Sequence, residues 1–137
     1  MRGALFLLLL AGGCGEEPAP SPCESETRGQ VLSVGDEFEG QALDAEILSM
    51  QPAPPQVGLN TWSVDLGETA EGCTLEASPW MPDHGHGAEV GESIQLDDGG
   101  WVINDLRFSM GGIWEVELTL TCGEQASTVT VALCVEA

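Results

Sequence analysis

The fold this sequence predicts is an all-β antiparallel sandwich of about seven short strands, on three observations. Residues Ile113 to Cys122 alternate apolar and polar side chains with a period of two, which buries one face of a strand and wets the other. Clusters of Gly, Asp, Asn and Pro recur at short intervals between the apolar runs, as turns between strands require. Helix signals are nearly absent.

The chain opens as a targeting device. Met1-Arg2 supplies positive charge, Ala4 to Leu10 is an unbroken apolar run, and Ala11-Gly12-Gly13 places small residues ahead of Cys14. The run is shorter than the roughly 20 residues that span a bilayer, so residues 1–13 read as a cleaved signal. Small residues directly before Cys14 resemble a bacterial lipobox, with Cys14 as the lipidated first residue of the mature chain and Ala11 where the pattern prefers leucine. An ordinary secretory signal with cleavage nearby is the alternative. Residues 14–22, Cys14-Gly15-Glu16-Glu17-Pro18-Ala19-Pro20-Ser21-Pro22, form an acidic, proline-rich tether that stays extended and builds no core. A lipidated cysteine followed by a spacer means a protein anchored to a membrane and not spanning it. In bacterial lipoprotein sorting, which this start resembles, an aspartate after the cysteine favours inner-membrane retention; Gly15 stands there instead, which points weakly to the outer membrane of a bacterial cell envelope, with the domain periplasm-facing or surface-exposed.

Residues 23–137 are long enough for one domain with a real core. Ala42 to Met50 fits a strand or a short helix, and we favour a strand; Gln51-Pro52-Ala53-Pro54-Pro55 is an irregular link. Gly58 to Leu66 sets Trp62, Val64 and Leu66 on one face, and Cys73 to Ala77 does the same with Cys73, Leu75 and Ala77. Ser93 to Leu96 and Trp101 to Phe108 flank Asp97-Asp98-Gly99-Gly100, a hairpin turn that lacks the spaced ligands of a calcium loop. Ile113 to Cys122 turns at Gly123-Glu124-Gln125-Ala126 into Thr128 to Val135, whose apolar set is Val129, Val131, Leu133 and Val135. The count and spacing of these strands match an immunoglobulin-like sandwich.

With Cys14 assigned to lipid, Cys23, Cys73, Cys122 and Cys134 remain, which in an exported chain read as two disulfides with three possible connectivities. Cys73 and Cys122 share the inward parity of their strands, so they pair, across the sandwich. Cys134 falls at the outward parity and Cys23 lies just after the tether, so these two pair outside the core.

Composition removes several functions. The formal net charge is −20 at pH 7, there is no lysine, and beyond Arg2 only Arg28 and Arg107 are basic. Binding to nucleic acid through its phosphates is excluded, and docking on anionic lipid through the domain surface is disfavoured. No glycine-flanked serine elbow, phosphate loop or zinc-protease motif is present, so no enzyme is expected.

One segment carries a chemical pattern. Trp80-Met81-Pro82-Asp83-His84-Gly85-His86-Gly87 contains both histidines of the chain, with a thioether three residues before the first. Residues two apart in an extended stretch face the same way, so the imidazoles converge, and Gly85 and Gly87 permit tight turning between them. Met110, before Gly111-Gly112, is a second candidate sulfur. Met81, His84, His86 and Met110 thus form a candidate metal set, with Asp83 as ligand or orienting partner. Imidazole with thioether suits copper, Cu(I) above all. The alternative is packing of Met81 against Trp80 and two turn histidines that shape a loop.

Trp80 to Gly87, followed by Met110-Gly111-Gly112-Ile113-Trp114-Glu115-Val116 and preceded by Gly58-Leu59-Asn60-Thr61-Trp62, resembles the YtkA-like domain, with kinship to FixH-like proteins. The likeness covers residues 40–136 and leaves the Cys23 segment unexplained; where family members often carry a further methionine, this chain has histidines. The resemblance implies a small anchored or exported sandwich associated with copper handling or oxidase assembly, with a protein that receives the copper as partner. A structural or protein-interaction module of the envelope, with no metal, is the competing expectation.

Overall fold

A computed structural model describes residues 13–67 and 72–137. The leader, Gly13 apart, lies outside the described residues, as do residues 68–71. Among those described there is no helix, and the architecture is two antiparallel sheets packed face to face. One sheet has the order β1(Glu37–Glu39), β2(Asp44–Gln51), β3(Gly58–Asp65), β7(Trp101–Phe108), β6(Ser93–Gln95); the other has β5(His86–Gly87), β4(Thr74–Met81), β8(Gly112–Cys122), β9(Gln125–Val135). All seven expected strands form, and β1 and β5, too short to show a period, join them.

The alternation that predicts the sandwich is what fills it. Trp62 and Val64 of β3, Trp114, Val116 and Leu118 of β8, and Val131 and Leu133 of β9 are all fully buried between the sheets. Trp62, Phe108 and Trp114 form a chain of ring contacts, with centroids 6.1 and 5.2 Å apart. Residues Ala42 to Met50 resolve as strand β2, whose Ala45 and Ile47 are buried as a two-residue period requires. The register of β7 shifts at Asp105, which adopts a φ of 54°, so that Trp101 and Ile103 before it and Leu106 and Phe108 after it all point inward. Gly123-Glu124 alone makes the last turn, with Cys122 opposite Gln125.

Strand β4 differs from expectation where it matters most. It does not stop at Ala77 but continues through Pro79 to Met81. Proline is tolerated because its missing N–H would point away from β8, the side on which its carbonyl accepts only the Ala88 N–H. Trp80 and Met81 are therefore strand residues of opposite parity: Trp80 is exposed and Met81 is buried.

Both expected disulfides form, Cys23–Cys134 and Cys73–Cys122. The second does not cross the sandwich. β4 and β8 are neighbours in one sheet, Thr74 lies opposite Thr121, and the register brings Cys73 opposite Cys122 with Cα atoms 4.4 Å apart. Cys134 does have outward parity, paired across the strands with Ile113, yet both are buried. The N-terminal strap, residues 21–32, covers them. Gln30 bridges Leu133 in parallel and accepts the Cys134 N–H at 2.8 Å, Gly29 packs on Ile113 and Leu133, and Leu32 enters the core.

Candidate functional site

The loop that holds the histidines is a tight hairpin between β4 and β5. The Met81 carbonyl accepts the His84 N–H at 3.2 Å and the Gly85 N–H at 2.8 Å. Pro82 presets φ at the first turn position, and Gly85 takes the positive φ of 67° that brings the chain back. Met81 and His86 then face each other as cross-strand partners and share one face of the sheet.

The structure brings part of the expected set together. The His84 and His86 rings have centroids 6.0 Å apart. One ion held by a nitrogen of each ring at about 2 Å puts two imidazole centroids about 5–6 Å apart. His86 Nδ1 lies 3.2 Å from its neighbour's carbonyl, Gly87 O, which only accepts, so Nδ1 is the donor and Nε2 is the nitrogen turned from this contact. The His86 ring also stands edge-on to Trp114, with centroids 5.7 Å apart. Trp114 in turn donates its Nε1–H to the Met110 carbonyl at 3.0 Å, tying the turn before β8 to the histidine hairpin.

The two thioethers differ. Met110 is partly exposed on its turn, whereas Met81 is 2 % exposed, with its Cε against Gly112. Met81 thus packs the end of the core beneath the imidazoles, the role its strand parity dictates. Among the described residues no group of three or more His, Cys, Asp or Glu side chains is gathered for an ion. Protein ligands beyond the two imidazoles are thus left to the thioethers or to backbone carbonyls.

The Asp83 carboxylate, expected as a ligand or orienting partner, is turned to Arg28. Its two carboxylate oxygens accept from both Arg28 Nη atoms, at 2.6 and 2.7 Å, and Glu26 grips the same guanidinium at Nε (2.9 Å) and Nη2 (2.7 Å). Hydrogen bonds from the Arg28 side chain, then from its backbone N–H, hold Glu26 down at about 2. Hydrogen bonds from Arg28 likewise keep the Asp83 carboxyl below its usual range, and hydrogen bonds to Asp83 and Glu26 raise the guanidinium. Sequence reasoning missed Arg28. The available signal was scarcity, since after the leader the chain has only one other base, Arg107. The clamp fastens the strap to the hairpin beside His84.

Elsewhere, Cys14 is an exposed free thiol on the tether. The Asp97–Gly100 turn is a hairpin turn as expected, closed by Leu96 N–H to Gly100 O at 2.7 Å. The two disulfides argue for an oxidising, extracytoplasmic compartment. Compared with known proteins, the chain matches no family model, no curated protein and no solved structure.

Proposed function

We propose that this chain is an extracytoplasmic domain, lipid-anchored through Cys14 to the bacterial cell envelope, that binds copper at the β4–β5 hairpin and delivers it to a receiving protein. This reading takes up the likeness to the YtkA-like domain; it involves no catalysis. The observation that carries it is the 6.0 Å spacing of the His84 and His86 rings above Met81, at the end where Met110 also lies. Two neutral imidazoles supplemented by thioethers prefer a soft ion, Cu(I), over magnesium or calcium. Imidazole binds metal as the neutral ring, so loading weakens in acid.

The test is Cu(I) competition against a chromophoric chelator, on a Cys14→Ser chain so that the free thiol contributes nothing. Submicromolar binding of one ion is expected, lost in His84→Ala/His86→Ala. Met81→Leu conserves volume, keeps the fold within about 1.5 kcal/mol, and removes one candidate sulfur. Unchanged affinity in the double histidine variant would overturn the proposal.

A second reading draws on Met81 burial and the Arg28–Asp83 clamp. In it the hairpin is a rigid structural corner of an interaction module. It expects no response to metal, with the histidine substitutions changing stability or partner binding instead.

A further inference from the structure

We infer that the hairpin end of the sandwich is its membrane-facing surface, docking on zwitterionic phospholipid with Trp80 and Met110 in the headgroup layer. The inference rests on the lipid-anchored reading of Cys14 and adds where the anchor holds the domain. The tether leaves the domain at this end and no other. Ser21 hydrogen-bonds Glu136, and a methyl group placed on Gly111 would lie 3.1 Å from Pro22 Cγ. Gly111 adjoins Met110, and Gly112 abuts Met81, so the exit point touches the turn that completes the candidate site.

Length then sets orientation. From Cys14 to Ser21 the tether reaches about 22 Å at the rise of an extended proline-rich chain. The strands β8 and β9 are 11 residues each, which puts the Gly123 turn about 35 Å farther from the exit. The near end, with His84, His86 and Met110, is the one held closest to the anchor.

The chemistry of that end fits a neutral lipid surface. Trp62, Trp101 and Trp114 are buried, while Trp80 is 46 % exposed beside the hairpin. An indole with one side free is the side chain that settles in a headgroup layer. Glu26 and Asp83 are both engaged by Arg28, while Glu115, the cross-strand partner of Trp80, is exposed, so this end admits neutral and not anionic lipid. A second copy is a poor occupant, because each chain carries a net charge of −20.

Because Trp80 is the exposed one, its fluorescence reports the contact. The chain from Cys14 onward is coupled through its free thiol to maleimide-headgroup lipid in phosphatidylcholine vesicles carrying spin-labelled quencher lipid, so that the docking test does not depend on natural lipidation. Docking is expected to blue-shift the emission and quench most of the Trp80 share of it, and Trp80→Phe should abolish both changes while circular dichroism stays the same. Emission identical in coupled and uncoupled protein overturns the inference. So does shielding of Trp80 in lipid-free solution by self-association, read by sedimentation. Mass spectrometry of the natural N-terminus tests lipidation separately, and copper titration tests the metal reading, so the three can fail independently.

Discussion

Removing the outer disulfide with Cys23→Ala/Cys134→Ala should cost more than the contacts of either cysteine. The bridge closes a segment of 111 residues, and the inner bridge Cys73–Cys122 closes 49 of those. In the chain-entropy description an isolated loop of the outer size is worth about 5 kcal/mol, and one of the inner size about 4 kcal/mol. The loops are nested, so with the inner bridge intact the outer one constrains only about 60 free residues, which lowers its contribution to about 4 kcal/mol. Alanine is the proper replacement, because Cys134 is 1 % exposed and a serine hydroxyl there would be buried without an assured partner. Urea unfolding under non-reducing conditions, followed by tryptophan fluorescence, should show a loss of about 4 kcal/mol together with a larger m-value, since the freed unfolded chain exposes more surface. A loss under about 1 kcal/mol with an unchanged m-value would refute the reasoning, because the bridge then closes no loop in the unfolded ensemble.

Other predictions follow from the clamp and from close packing. Glu26 is held at about 2 in the folded chain, well below an ordinary carboxylate, so its stabilisation is complete above about pH 4.5 and lost as pH falls through about 2. Carboxyl NMR should place its midpoint at about 2, and Arg28→Gln should return it to about 4.3. An added Cβ at Gly40 would lie 2.2 Å from Thr128 O and 2.6 Å from both Leu43 O and Val129 Cα, all backbone atoms that cannot turn aside. Gly40→Ala should therefore destabilise by about 1–3 kcal/mol or more, lowering the thermal midpoint; an unchanged midpoint would mean the β1–β2 corner is looser than it stands. Copper loading by the histidine hairpin and quenching of Trp80 at a lipid surface complete the set.

Much of this protein can be read from its sequence, and the reason is local. Alternation in Ile113 to Cys122 and Thr128 to Val135 states which side chains face inward, because a pleated strand has a fixed period of two. Parity and position likewise chose the right cysteine partners. The sequence placed His84 and His86 in one loop, and their ring centroids lie 6.0 Å apart, but His84 is on the turn and His86 in β5, so the turn at Gly85 and not one extended stretch brings them near. What alternation cannot state is which strands become neighbours. That is settled by register between segments far apart in the chain, and it put Cys73–Cys122 within one sheet, not between the two. The tertiary structure alone also folded the strap over Cys134 and handed Asp83 to Arg28, 55 positions away. It set the Met110 carbonyl against Trp114, whose ring meets His86, and it brought residues 21 and 22 out at the same end. Local sequence dictates the direction a side chain takes from its own backbone; what meets it there is decided by packing between distant segments, where no short-range pattern reaches.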